Sequence, residues 1–203
     1  MDQGMDSYRR FLQGDDSGLG EIIRAYRDGL ILYLNGFVGD LTVAEELTED
    51  TFVKLAIKRP HFSQRAAFKT WLYTIGRNAA IDHLRRGKKA ALPLEHTALM
   101  PDEEADLERA YIQRDDRILL HRCMKKLKQE YRQVLWLTYF EGFSYQQTAR
   151  ILRKTTHSVE TLAYRARIAL KNKRKEEGCS DEKGPRFVVA CFRLRVVQNW
   201  MRF

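Results

Sequence analysis

Apolar residues recur at the three- and four-residue spacing of an α-helix through most of this 203-residue chain. One such run comprises Leu19, Ile22, Ile23, Tyr26 and Leu30. Alternation of apolar and polar residues, which would indicate a strand, is absent before residue 185. A hydrophobic content of 44% is sufficient for packed cores. The sequence therefore predicts an all-α protein.

Breaks in the helical pattern predict two small helical domains. The first, residues 10–88, contains three predicted helices, over about 17–38, 43–58 and 66–86. Thr42 and Glu45 have the spacing of a capping box that would open the second of these helices, and Pro60 would end it. Phe68 and Leu72 of the third helix are assigned to the core.

Residues 89–113 are predicted to be a flexible acidic linker. The wider segment 89–120 carries 4 basic and 8 acidic side chains, and Pro93 and Pro101 interrupt it. Helical spacing resumes over 114–176, the second predicted domain. Residues 177–203 are predicted to be a loosely ordered C-terminal extension of unknown role.

The second domain has the pattern of a helix-turn-helix. Ser144 and Gln147 have capping-box spacing, which predicts a short helix through Leu152, and Thr155 would cap a last helix over about 156–173. An apolar stripe on that helix comprises Val159, Ala163, Ala166 and Leu170. The opposite face presents His157, Thr161, Tyr164 and Ile168.

Charge supports a nucleic-acid partner for this helix. Residues 121–176 carry 14 basic and 4 acidic side chains, a net charge of +10, which suits phosphate. An ordinary amphipathic surface helix is the alternative. The caps, the tight turn and the focused charge together favour DNA binding.

The third helix of the first domain interleaves aromatic and basic residues. Phe62, Phe68, Trp71 and Tyr73 accompany Lys69, Arg77, Arg85 and Arg86. Aromatic rings stack on unpaired bases and cations follow the backbone, which is the chemistry of single-strand binding. Most of these rings could equally belong to the core. Periodicity alone does not separate the two roles.

The sequence lacks the residue patterns that are typical of several classes of function. The acidic set Glu45, Glu46, Glu49 and Asp50 has no third ligand type at helical spacing, so neither a metal site nor a catalytic residue is predicted. We expect no cofactor and no small-molecule substrate. The three cysteines, Cys123, Cys179 and Cys191, form no Cys-x-x-Cys pair, as expected in a reducing cytoplasm. A cytoplasmic location is therefore expected.

Three segments resemble parts of one family, the RNA polymerase sigma factors. Residues 44–52 (AEELTEDTF) resemble the helix with which sigma factors bind core polymerase. Residues 68–82 (FKTWLYTIGRNAAID), followed by Leu84, Arg85 and Arg86, are similar to the promoter-melting segment, and residues 142–167 resemble the helix-turn-helix. Their order across a short linker, over about residues 10–175, resembles the extracytoplasmic-function group.

The resemblance implies promoter-specific transcription initiation without catalysis. The implied partners are core RNA polymerase, promoter DNA in single-stranded and duplex form, and an anti-sigma factor. The implied core-polymerase contacts are Glu46, Glu49, Asp50 and Phe52. The implied minus-ten contacts are Phe62, Lys69, Trp71, Arg77, Asn78, Asp82, Arg85 and Arg86, with the loop 61–67 holding a flipped base. The implied minus-thirty-five contacts are His157, Glu160, Thr161, Tyr164, Arg165, Arg167 and Lys171.

Some positions depart from the family pattern. Arg153 occupies the turn position that is usually glycine, Gln147 and Thr148 replace an acidic–isoleucine pair, and Glu160 stands at a commonly basic position. Two other classes of function are alternatives. A helix-turn-helix regulator acting as a dimer on duplex DNA would not need the first domain's acidic and aromatic-basic helices. A nucleic-acid enzyme would need a nucleophile or metal set.

Overall fold

The computed structural model describes residues 2–63, 66–90, 120 and 122–177, with the side chains of 88–90 excluded. All regular structure in these ranges is helical, which confirms the all-α prediction. The predicted linker and extension lie almost entirely outside the described residues. None of the helices within the described ranges is long and apolar enough to cross a membrane.

Four helices build the first domain: α1 (Gln3–Leu12), α2 (Ser17–Val38), α3 (Leu41–Lys58) and α4 (Phe68–Ala90). Helix α2 lies at the centre and packs against the other three. Its buried residues include Ile22, Leu30 and Leu34, which meet Leu55 of α3 and Leu72 of α4 in one core. Burial of this apolar surface is the main stabilising contribution to the domain.

The start of α3 differs from the prediction. Asp40, not Thr42, is the N-cap, and its carboxylate accepts a hydrogen bond from the Val43 amide at 3.1 Å. The predicted capping box at Thr42 is therefore wrong, because the helix already begins at Leu41 and Thr42 lies inside its first turn. The predicted end is confirmed, since α3 stops at Lys58 and Arg59 takes a left-handed conformation (φ 40°) before Pro60.

Helix α1 is an element that the sequence analysis did not predict, and the expected domain start at residue 10 falls inside it. Tyr8 and Phe11 are buried. The Tyr8 ring lies 5.5 Å from the ring of Phe68 and 5.4 Å from that of Trp71. Phe62 joins the same group, 5.1 Å from Trp71. These five rings, here called the aromatic cluster, join α1 to the start of α4.

The second domain contains a helical stretch at 122–125, then α5 (Gln129–Leu135), which continues into a π-helical turn, Trp136–Phe140. Helices α6 (Tyr145–Leu152) and α7 (Thr156–Glu176) follow. The predicted capping box is confirmed: Ser144 Oγ accepts from the Gln147 amide, and Gln147 Oε1 accepts from the Ser144 amide. Thr155 caps α7 by accepting from the Ser158 amide, also as predicted.

The two domains are in contact. The α6 end of the second domain packs on α4, and α5 approaches α2. The Lys69 ammonium lies 2.7 Å from the Glu141 carboxylate and also donates to the Glu141 carbonyl at 2.9 Å. The Tyr73 ring meets the Phe143 ring edge to face at 5.1 Å. The contacts between the two domains therefore include one ion pair and one aromatic pair.

Candidate nucleic-acid interface

Helix α7 has one face that packs in the core and an opposite face that is exposed to solvent. The predicted apolar stripe of Val159, Ala163, Ala166 and Leu170 is buried against the rest of the second domain, including Ala149 and Leu152 of α6. On the other side, His157, Glu160, Tyr164, Arg165, Arg167 and Lys171 are exposed and Thr161 is half-buried. The helix therefore offers one long polar and basic face, of a kind that fits the major groove.

The helix-turn-helix accommodates two of the departures from the family pattern, Arg153 in the turn and Thr148 in α6. Arg153 adopts φ 54°, the left-handed conformation that glycine takes without steric cost. Its amide bonds back to the Arg150 carbonyl, and the Lys154 amide to that of Ala149, which closes the turn. Thr148 is fully buried and its hydroxyl has no hydrogen-bond partner. The helix-turn-helix thus forms although Arg153 has a backbone conformation that favours glycine and Thr148 buries a hydroxyl without a partner.

The eight predicted minus-ten residues do not form one surface. At about 100° per residue, Trp71, Asn78, Asp82, Arg85 and Arg86 share one side of α4, whereas Lys69 and Arg77 lie on the opposite side. Asp82, Arg85 and Arg86 are exposed, and Trp71 and Asn78 are half-buried. Phe62 precedes α4 and packs in the aromatic cluster. Only the first side of α4 is open to a ligand.

The opposite side of α4 faces the second domain. The Glu141 side chain there is only 6% exposed, so its ion pair with Lys69 is largely shielded from water. Gly29 of α2 makes room for it: a Cβ at that position would lie 2.6 Å from both Glu141 Oε1 and the Tyr73 hydroxyl. Burial, together with the Glu141 charge, raises the pKa of Tyr73 well above its usual value.

Arg77 lies one turn beyond Tyr73 on this covered side. It is half-buried, its Nε has no hydrogen-bond partner, and burial lowers the pKa of its guanidinium. The positive charge of Arg153 lowers that pKa further. Lys69 and Arg77 therefore lie beneath the second domain in this arrangement.

A second surface follows α3. Glu46, Glu49 and Asp50 are exposed, and they share an arc of about 100° with Val53 and Ile57. These two apolar side chains are 51% and 75% exposed. Phe52, the fourth predicted member of the polymerase-binding set, is 6% exposed and packs inside the first domain, so any effect it has on docking is indirect.

A cleft connects this acidic surface to α4. Glu46 and Asp50 line one wall, and His83 and Arg86 line the other. In the described ranges, no three histidine, cysteine or carboxylate side chains converge as metal ligands. The cleft is therefore lined by acidic side chains on the α3 wall and by a guanidinium and an imidazole on the α4 wall.

Two family models match this chain: sigma-70 region 2 over residues 22–90, and sigma-70 region 4 over residues 117–170. A Bacillus subtilis protein, RNA polymerase sigma factor YlaC, is 30% identical over 153 residues, which are 74% of this chain and 88% of that protein. The chain belongs to the RNA polymerase sigma factors of the extracytoplasmic-function group.

Other similar proteins agree with this assignment. RNA polymerase sigma-H factor of Pseudomonas aeruginosa is 26% identical to this sigma factor over 178 residues, 83% of this chain and 92% of the other. Among solved structures, the sigma factor RpoE from Bartonella quintana, in complex with the anti-sigma factor NepR, has a TM-score of 0.61 at 23% identity. That likeness covers 77% of this chain and 96% of RpoE, and it supports the fold.

Sequence reasoning missed several residues that shape this sigma factor's surfaces. Glu141, Gly29 and Phe143 line the covered side of α4. Tyr8 contacts Pro60 before α4, and Asp2 contacts Phe68, the first residue of α4. The sequence contained one weak signal: Glu141 is one of only four acidic residues in the basic segment 121–176. Asp2 and Tyr8 had no such signal, because their partners lie more than 50 residues away.

Proposed function

We propose that this sigma factor binds core RNA polymerase through α3, holds the opened minus-ten strand through α4 and the loop before it, and binds the minus-thirty-five duplex through α7. The observation that carries this proposal is the exposed acidic and apolar stripe on α3, which differs in charge from the basic faces of α4 and α7 and is joined to Arg86 of α4 by a cleft. A regulator that bound only duplex DNA would have no use for that stripe.

The α3 stripe suits a protein partner. Three carboxylates would repel DNA, and contiguous exposed apolar side chains mark protein-binding surfaces. Val53 and Ile57 would supply buried area, while Glu46, Glu49 and Asp50 would set orientation against a basic partner. Core polymerase is the partner that fits the family, and Phe52 supports the stripe from beneath.

The exposed side of α4 suits an opened strand. Arg85 and Arg86 would follow phosphates, while Asn78 and Asp82 would meet base edges. Trp71 and Phe62, at the surface of the aromatic cluster, would stack on bases. Lys69 and Arg77 would join this set only after the second domain moves away.

The exposed face of α7 suits duplex DNA. His157, Glu160 and Thr161 lie in its first two turns, where side chains of a recognition helix reach base edges. Tyr164, Arg165, Arg167 and Lys171 follow, where phosphates would pass. We further propose that the first domain, which starts with α1 and extends to residue 88, and residues 114–176 act as separate binding units joined by 89–113.

An anti-sigma factor is a further proposed partner. The RpoE structure of similar fold is a complex with the anti-sigma factor NepR. Because α3 and α4 offer protein-binding and basic surfaces together, a protein that covered them would prevent polymerase docking.

Reconstituted transcription tests the proposed function. The chain is added to core polymerase with a library of promoter DNA randomised upstream of the start site, and transcripts are sequenced. Enrichment of two sequence elements near minus ten and minus thirty-five is expected. Tight, sequence-specific duplex binding by the free protein as a dimer, with no transcript, would instead support a conventional regulator.

The polymerase contact has its own test. Glu49→Lys together with Asp50→Lys should weaken core-polymerase binding at least about tenfold, because two charges reverse at the interface centre. Both side chains are exposed, so helix content should not change. Glu160→Lys, an exposed charge reversal in the second domain, is the control and should leave core binding intact. Unchanged core binding by the double variant would refute the assignment of α3.

A further inference from the structure

The Glu141 carboxylate of the second domain binds a basic group on the covered side of α4. Lys69, Tyr73 and Arg77 are four residues apart, so their side chains share that side of the helix. The Glu141 carboxylate lies 2.7 Å from the Lys69 ammonium, and the Glu141 carbonyl accepts from the same ammonium at 2.9 Å. The ammonium also lies 4.9 Å from the centre of the buried Phe143 ring. The second domain therefore supplies Lys69 with an ion-pair partner and an aromatic neighbour.

The two sides of this contact otherwise carry charges of the same sign. The segment 121–176 has 14 basic and 4 acidic side chains, so it is strongly positive, and Lys69 and Arg77 add positive charge from α4. Burial and the positive charge of Arg153 in the helix-turn-helix both lower the pKa of the Arg77 guanidinium. The Arg77 Nε is buried and has no hydrogen-bond partner within the described residues. Without the Glu141 charge, α4 would meet a second domain of like charge.

The closed arrangement, in which the second domain packs on α4, does not allow both proposed promoter elements to be bound at once. The minus-ten and minus-thirty-five elements are about 25 base pairs apart, or about 85 Å at 3.4 Å per base pair. Helix α7 has 21 residues, so it is only about 32 Å long. A second domain that remains on α4 cannot place α7 on the upstream element. The domains must therefore separate before both elements are bound.

We propose that Glu141 is an internal competitor of the promoter strand, because it occupies on Lys69 the place that a phosphate of the opened strand takes during initiation. A carboxylate and a phosphate both offer an ammonium charged oxygen acceptors. The free chain binds single-stranded DNA fully only in the fraction of molecules whose domains are apart, which lowers its apparent affinity. The inference rests on the proposed function, because it requires that α4 binds the minus-ten strand.

The test measures how tightly the complete chain, free and in holoenzyme with core polymerase, binds a short fluorescein-labelled single strand. The strand carries the minus-ten sequence that the transcription experiment selects. Glu141→Gln retains the shape of the side chain and removes its charge. It should raise the affinity of the free chain at least about tenfold, the lower end of the range for a hydrogen bond to a charged group. In holoenzyme the affinity should not change, because the domains are already apart.

The matched control for this variant removes an equal charge elsewhere in the second domain. Glu130→Gln breaks the exposed pair between Glu130 and Lys154, which lies within that domain. It should leave the affinity of the free chain for the single strand unchanged. A gain in this control as large as that in Glu141→Gln would show a general effect of net charge and would overturn the inference.

A second variant opens the contact without altering any charge. Gly29 lies on α2, where a Cβ would be 2.6 Å from both Glu141 Oε1 and the Tyr73 hydroxyl. Gly29→Ala should therefore displace Glu141 and raise the affinity of the free chain for the single strand. Gly20→Ala is the matched control on the same helix, since a Cβ there would have no atom within 4 Å. This control should bind the strand like the unmodified chain.

A gain in either variant that is confined to the free chain and absent from its control supports the inference. If Gly29→Ala does not fold, Glu141→Gln and its control decide the outcome. No gain in either folded variant would overturn the inference. A gain from Glu141→Gln that persists undiminished in holoenzyme would also overturn it, because the carboxylate would then only repel DNA. Failure of the proposed function is distinguishable, because the unmodified holoenzyme would then bind the minus-ten strand no better than a strand of scrambled sequence.

Discussion

In α7 the residues that pack and the residues proposed to contact DNA lie on opposite faces, whereas in α4 both roles fall on overlapping sets. Val159 and Ala163 are fully buried while Tyr164 is 59% exposed. In α4, Trp71 packs in the aromatic cluster, and Lys69 and Arg77 lie beneath the second domain. The α7 face proposed for duplex DNA is therefore exposed, whereas part of the proposed α4 surface is covered by the second domain.

This difference has a physical basis. A major groove accepts a rigid helix with an exposed polar face, so packing and binding can occupy separate stripes. Unpaired bases stack on aromatic rings. In the absence of DNA, such rings pack against one another because this removes their apolar surface from water. The first domain consequently uses the same aromatic side chains for stability and for its proposed ligand.

The largest effect is expected where the two roles coincide. Trp71→Ala should lower the free energy of unfolding by about 3 kcal/mol, because it removes a large ring from the aromatic cluster. It should also weaken binding to minus-ten strand DNA. Tyr164→Ala, the matched change in α7, should alter stability by no more than about 0.5 kcal/mol and reduce holoenzyme affinity for duplex promoter about tenfold. Equal stability losses in urea denaturation would contradict the comparison.

The next largest effect is expected on the contact between the covered side of α4 and the second domain. Glu141→Gln removes the charge that pairs with Lys69 and should weaken the domain contact by about 1.5–3 kcal/mol. Small-angle X-ray scattering should then show a larger radius of gyration for the free protein. Glu130→Gln, which breaks an exposed pair with Lys154 inside the second domain, should not alter it. The same radius in Glu141→Gln and the unmodified protein would show that this ion pair does not hold the domains together.

Stability of the helix-turn-helix provides a smaller test. Thr148→Val keeps the shape and removes a buried hydroxyl that lacks a partner, so stability should rise by about 1 kcal/mol. Thr138→Val is the control, because that hydroxyl donates to the Val134 carbonyl at 2.7 Å and its loss should give no gain. Urea denaturation of the two variants measures the difference. A gain in both, or in neither, would count against the account of Thr148.

The smallest effect concerns Glu160 on the exposed face of α7. If its carboxylate only repels phosphate, Glu160→Lys should strengthen holoenzyme binding to all promoters and steepen the salt dependence by about one phosphate contact. We expect this outcome, with Glu160→Gln intermediate. Affinities for matched and single-base-altered promoters at several salt concentrations measure it. Relaxed preference at a single base pair would show instead that Glu160 contacts a cytosine.

Much of the second domain followed from local sequence rules. The caps at Ser144 and Thr155 and the buried stripe on α7 were predicted correctly, because each depends on residues three or four positions apart. The cap of α3 was missed by two residues, since Thr42 and Asp40 both suit an N-cap and only the observed hydrogen bond distinguishes them.

The sequence by itself determined most of the helices, the caps of the helix-turn-helix and the family, because helical periodicity, capping and motif order are properties of short segments. Only the tertiary structure decided which sides of α4 are open. The Lys69–Glu141 pair joins residues 72 apart, and the bonds from Asp2 and Tyr8 span 66 and 52. No spacing rule reaches that far: such contacts form only because burial of the apolar core brings distant helices together.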